Sequence, residues 1–262
     1  MGKISVMFSG SRGNCTYISS GNSAFLVDAG VSAKQILLGL EQRMFDPTKL
    51  GGIFITHSHT DHISGLRVLL KKYNIPVYAS KETLRALILA DVFNSKTKYY
   101  DIEESPEFFM DINVQFFRTS HDCEGSGGFV FTFANGEKTA ICTDLGYISD
   151  TVRSAITSAK TIVIESNHDV GMLQNGIYPF ATKQRILSDE GHLSNVACAN
   201  ELPNLIKNGT SNIILAHLSR DNNTPELANV TARSVLIENG FSENKDYILS
   251  VAPPLGGKIM YI

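Results

Sequence analysis

Apolar residues occur along this chain in short blocks closed by glycine, proline or a polar residue, and the period inside each block separates strands from helices. Blocks too short for a helix and rich in Ile, Val and Phe predict strands at 4–8, 16–19, 24–28, 52–56, 77–79, 114–118, 128–133, 139–143, 161–165, 212–216 and 247–251. Apolar residues three or four apart predict helices at 33–43, 63–73, 81–92, 150–158, 182–189 and 225–239, the last with Thr224 as its cap and Pro225 in its first turn. Pro203 interrupts the pattern that follows Asn195, so a helix there is expected to break or kink. The acidic stretch 101–111 fits neither period and is expected to run irregularly over the surface. Early strands joined by tight turns, then strands alternating with helices, imply an α/β (α+β) arrangement of sheets covered by helices.

Composition narrows the class. With 262 residues, 43% of them hydrophobic, the chain can bury a full core, and no repeat or linker divides it, so one domain over residues 1–262 is expected. Cys15, Cys123, Cys142 and Cys198 have neither zinc-ribbon nor disulfide-framework spacing, which suits a reducing cytoplasm. The first residues lack the features of a signal peptide, and no apolar stretch is long enough to span a bilayer. No obligatory protein partner is indicated. A net charge of −3 argues against coating nucleic acid non-specifically, yet leaves a local groove open. Seven basic residues between Arg67 and Lys98, against Glu82 and Asp91, would follow a phosphate backbone or simply form two solvated helix faces.

The candidate chemistry lies in the run His57-Ser58-His59-Thr60-Asp61-His62, straight after the apolar block 52–56. An extended segment delivers His57 and His59 on one side, while Asp61 and His62 lie past the turn into the next helix, so two pairs of donors aim at neighbouring positions. Imidazole with carboxylate suits zinc, manganese or iron, and two such ions side by side hydrolyse phosphate esters or acyl bonds. Further donors stand where apolar blocks end: His121, Asp144 and His217 each follow a predicted strand, the place where open α/β sheets put their ligands.

This order of residues resembles the metallo-β-lactamase superfamily over essentially the whole chain. The resemblance implies a four-layer αβ/βα sandwich with two divalent metal ions between its sheets: His57, His59 and His121 on the first, Asp61, His62 and His217 on the second, and Asp144 bridging. The segments Ser9-Gly10-Ser11-Arg12-Gly13-Asn14-Cys15, Asp28-Ala29-Gly30, Gly191-His192-Leu193-Ser194-Asn195 and Ala216-His217-Leu218-Ser219 look like those of the YycJ/WalJ group, regarded as DNA exonucleases acting from a 5′ end. The implied function is metal-dependent phosphodiester hydrolysis on nucleic acid, DNA in particular, with a hydroxide shared by the ions attacking phosphorus. Zinc, manganese and iron all remain open.

Around those ligands, Asp28 is placed to orient a ligating histidine, a turn-starting aspartate being the alternative. His192 is left over by the ligand set and is expected to stabilise phosphate charge or protonate a leaving oxygen, with Asp61 the other residue expected to be indispensable for cleavage. Asn14, His168, Arg185 and Ser194 are candidates for substrate contact, His168 at the rim, against tight-turn, helix-start and polar-face readings. A small or cyclic phosphodiester, a thioester or a lactam would use the same metals. A structural metal in a non-catalytic protein fits poorly, because structural zinc sites are closed and cysteine-rich.

Overall fold

Strands buried on both faces make up the middle of the molecule, and their alternation sorts one row of side chains from the other. The computed structural model describes residues 2–21, 23–104, 107–109 and 111–262, with backbone alone at 107–109. The first sheet contains β1 (Lys3–Phe8), β2 (Cys15–Ser19), β3 (Ala24–Val27), β4 (Gly52–Phe54), β5 (Val77–Ala79) and β6 (Tyr99–Asp101) in that order. The second runs β7 (Glu107–Phe109), β8 (Ile112–Arg118), β9 (Gly127–Phe133), β10 (Lys138–Cys142), β11 (Thr161–Glu165), β12 (Asn212–Ala216) and β13 (Ile248–Val251). A short β14 (Met260–Tyr261) returns to flank β1. Hairpins link β1, β2 and β3 and also β7 to β10, whereas β3 to β6 and β10 to β13 are parallel.

Parallel strands need crossovers, and helices supply them. The first half carries α1 (Ala33–Gln42), α2 (Thr60–Ile63), α3 (Leu66–Lys72) and α4 (Lys81–Leu89); the second carries α5 (Asp150–Ile156), α6 (Val170–Asn175), α7 (Phe180–Ile186), α8 (Asn195–Lys207) and α9 (Pro225–Glu238). Leu26 and Ile53 pack with Ile36, Leu69 and Leu87 on the helical side of the first sheet. Phe25, Val27 and Phe54 point the other way and meet Phe129, Phe131 and Val163 of the second sheet. Ile162 and Ile164 then face Val152, Leu202 and Ala232 of the second helical layer. The period of two therefore yields the four layers: helices, sheet, sheet, helices. Phe54 touches Phe25, Phe129 and Phe131 edge-on, and truncating such a ring to alanine costs about 3–5 kcal/mol.

Some of the sequence expectations need amending, in whole or in part. The helix containing Pro203 does not break: α8 runs unbroken from Asn195 to Lys207 with the proline buried inside it. Leu202 and Leu205 beside it are fully buried in the second helical core, and that packing outweighs one missing N–H. Nor is 101–111 simply an irregular excursion, since Asp101 ends β6 and residues 107–109 pair with β8. Each closes one edge of its sheet; Ser105, Pro106 and Met110 lie outside the described residues. Among the described residues no helix is long and apolar enough to cross a membrane.

Candidate metal centre

β1, β3, β4, β8, β10, β11 and β12 all present their C-terminal ends to one edge of the sandwich, because each antiparallel neighbour reverses direction twice before the parallel part begins. The loops after them hold the donors. Asp28, Asp144 and His217 adopt positive φ of 63°, 62° and 56°, a left-handed conformation that turns each side chain abruptly out of its strand. Gly30 permits a close crossing, since a Cβ there would lie 1.6 Å from the carbonyl oxygen of Asp61. The loop 9–14 reaches the same place, with Asn14 N donating to that carbonyl at 2.8 Å.

Four overlapping donor groups result among the described residues; His57 with His62 and Asp144, and Asp144 with Glu165, His192 and His217, link the two that follow. Ligand atoms of His57, His59 and His121 lie within 4.8 Å of one another, and so do those of Asp61, His62 and His217. Asp144 stands between them: Oδ2 is 3.3 Å from His62 Nε2, while Oδ1 is 3.5 Å from His217 Nε2 and 3.9 Å from His121 Nε2.

The nitrogens turned away from the clusters are held by acceptors. His62 Nδ1 donates to Asp28 Oδ2 at 2.8 Å, and Asp28 is itself held by the backbone N–H and hydroxyl of Thr56. His121 Nδ1 donates to the carbonyl of Gly191 at 3.1 Å. Glu165, fully buried, accepts at Oε1 from both His217 Nδ1 and His192 Nδ1 at 2.8 Å, and at Oε2 from the backbone N–H groups of Leu145 and Leu193. Such bonds select one tautomer and leave the Nε2 lone pairs facing inward.

The donors suit divalent cations. His57 Nε2 and Asp144 Oδ2 are buried and have no hydrogen-bond partner, a costly state that a cation would relieve. Burial pushes His57 and His59 toward the neutral, ligating form. It also opposes charge on Asp61 and Asp144, but the imidazoles around them, led by His217, hold both carboxyls well below the usual range. His62 and His217 resist burial through Asp28 and Asp144 and are raised instead, so cation binding there would displace protons.

Other candidates fall in different places. Asn14 lies at the centre, its side-chain nitrogen 3.1 Å from His62 Nε2. His192 adjoins the clusters with Nδ1 engaged by Glu165; although burial disfavours its charge, that carboxylate raises its pKa. Arg185 is ion-paired with Asp122, whose Oδ1 is 3.4 Å from His121 Nε2. Ser194 caps α8 by accepting from Ala197 N. His168 is not at the rim: it is 1% exposed, with both ring nitrogens unpartnered. A short backbone bridge to Ser194 draws it beneath the loop. Sequence reasoning missed Glu165, Thr56 and Asp122. Glu165 carried a usable signal, an acidic residue ending an apolar block as Asp28 does.

Known proteins resemble this chain in sequence and in fold. The sequence profile of the metallo-beta-lactamase superfamily matches residues 9–217. The chain is 39% identical to an exodeoxyribonuclease YycJ of Bacillus anthracis over 99% of its own length and 98% of the relative's. It is 36% identical to an exodeoxyribonuclease WalJ of Streptococcus pneumoniae, over 94% and 92% of the two chains. The crystal structure of the metallo-beta-lactamase fold protein YhfI from Bacillus subtilis superimposes with a TM-score of 0.73 at 17% identity, covering 99% and 98%, a likeness of fold.

Proposed function

The chain belongs to the metallo-β-lactamase superfamily, in its YycJ/WalJ-like branch, and we propose that it is a metal-dependent nuclease that removes nucleotides from the 5′ end of DNA. The observation that carries the reading is the pair of donor clusters meeting at Asp144, whose inner oxygen is buried without a partner. The near full-length identity to two exodeoxyribonucleases supports DNA as the polymer. Four unpaired cysteines are consistent with a cytoplasmic setting.

Two divalent ions, zinc or manganese with iron also suited, would be held by His57, His59 and His121 and by Asp61, His62 and His217, with Asp144 shared; they would supply Lewis acidity and an activated water. The remaining work falls to the protein. Asp28 and Glu165 keep the imidazoles of His62 and His217 facing inward. Glu165 also holds His192 by Nδ1, so a proton carried at Nε2 is available to a phosphoryl oxygen or to the departing 3′ oxygen. Asn14, beside Asp61 and His62, is positioned to steady a phosphate. Among the basic residues of 67–98, Arg67 is paired with Asp91 and the rest lie on or after α3 and α4, which favours a solvated face there.

Digestion of 5′-labelled and 3′-labelled DNA with added zinc or manganese tests the assignment, with RNA and a chromogenic phosphodiester as competitors. Release of nucleotides from the 5′ end, lost in Asp61→Ala and in His62→Ala, is the expected result. Equal cleavage by both purified variants would refute it. Preference in kcat/KM for the small diester would favour a phosphodiesterase instead.

A further inference from the structure

Six arginines are tied to groups of this chain: Arg43 to a backbone carbonyl, and Arg67, Arg118, Arg153, Arg185 and Arg233 to carboxylates. Arg12, Arg85 and Arg220 are exposed, and among the described residues none of the three has a hydrogen bond or ion pair; Arg85 lies on α4, whereas Arg12 and Arg220 stand in loops. These two loops touch each other and the metal centre. Ser9 Oγ accepts from the backbone N–H of His217 at 2.8 Å, and a Cβ on Gly10 would sit 3.1 Å from the carbonyl oxygen of Leu218. Arg12 is thus two residues from Gly10 and from Asn14, and Arg220 three residues beyond His217.

The loop of Arg220 continues into a second feature. Tyr178 OH donates to Asp221 Oδ2 at 2.8 Å, tethering the turn between α6 and α7 to this rim. At its other end α7 is anchored by the Arg185–Asp122 pair beside His121, and Lys183 Nζ donates to the carbonyl of Gln174. The turn is held at both ends, yet it leaves Ile177 90% and Phe180 77% exposed. Unpaired guanidinium groups followed by an exposed ring beside a hydrolytic centre are the composition of a single-strand track: cations follow the phosphates, and the ring offers a face to an unstacked base. Inside a closed duplex each base face is covered by its neighbours, and only the terminal pairs expose one.

We infer that the rim formed by Arg12, Arg220, Ile177 and Phe180 binds a single-stranded nucleic-acid end, the arginines on backbone phosphates and Phe180 against a base, and so feeds the unpaired terminus to the metals. This rests on the nuclease reading above. It also reconciles a chain of net charge −3 with a polyanionic substrate, because the attraction is local.

The test uses full-length protein stripped of metal, so that binding is read without cleavage. Fluorescence anisotropy is measured with a labelled single strand of about 12 nucleotides and with a blunt duplex of the same length. Wild type is expected to favour the single strand. Arg12→Ala and Arg220→Ala should each weaken it and lower the slope of log affinity against log salt by about 0.7. Phe180→Ala should weaken single-strand binding roughly tenfold or more and narrow the preference over duplex. Lys207→Ala, at the far end of α8, serves as the charge control and should bind as wild type does. If wild type binds DNA and, with metal restored, degrades it, while the three rim variants match it, the inference falls and the nuclease reading stands. If wild type neither binds nor degrades any nucleic acid, both fall. A change of sedimentation in Phe180→Ala without loss of binding would assign the apolar turn to a second copy of the chain and overturn the inference.

Discussion

Glu165 governs two imidazoles through a single oxygen, since His192 Nδ1 and His217 Nδ1 both donate to its Oε1. Burial alone would raise its pKa, but the neighbouring His192 and the bonds from both rings bring it down to about 2. Glu165→Gln removes that charge while keeping the shape, and is expected to reduce metal affinity or kcat/KM about 10–100-fold. Chelator competition and steady-state kinetics would read the two separately; wild-type values in both would show that the carboxylate has no orienting role. His168 is the opposite case, a buried ring that nothing charges. Burial pushes its pKa down to about 4, whereas the unfolded chain has a histidine near the ordinary ~6.5. The unfolded state therefore binds the proton more tightly, so this residue's contribution is complete above about pH 6.5 and falls away toward pH 4, by about 3 kcal/mol in full. Urea unfolding at several pH values should show a shallower acid loss in His168→Gln than in wild type. Parallel curves would refute it.

Elements were legible from the sequence where a local pattern decides them. The strand blocks 4–8, 139–143 and 212–216 and the helix with Pro225 in its first turn appear within a residue or two of expectation. The span 63–73 reads as one helix, yet Ile63 is the last residue of α2 and a separate helix, α3, starts only at Leu66, after Ser64 and Gly65. Gly65 passes so close to Val31 that a Cβ would lie 2.2 Å from its carbonyl oxygen, and Gly65 N donates to Ala29. No spacing within 63–73 reports that contact with the loop after β3. Helix α8 is capped by Ser194, so Ser194→Ala should cost about 1 kcal/mol, a fall in Tm of about 2–4 °C, with Ser194→Thr recovering most of it. An unchanged melting curve for the alanine variant would remove the capping role.

At the scale of the whole molecule, the donors come from both sheets, so bound ions would tie the two halves of the sandwich together. Ions that bind only the folded state stabilise it by mass action, by about 4 kcal/mol at a thousand times Kd. Dialysis against a strong chelator should abolish cleavage and lower Tm, and zinc or manganese should restore both; full activity in demonstrably metal-free protein would end the metal-dependent reading. The sequence by itself determined the donor types, their order and their position at strand ends, because a period of two and a polar residue closing an apolar block are local properties. The close spacing of His57, His59, Asp61 and His62 was legible for the same reason. Only the tertiary structure decided which ends meet. It set Asp144 between two clusters, joined Ser9 to His217 across 208 positions, buried Glu165 behind two rings and drew His168 inward. Those distances depend on sheet order and on how the two sheets pack, and no local stretch of chain encodes either.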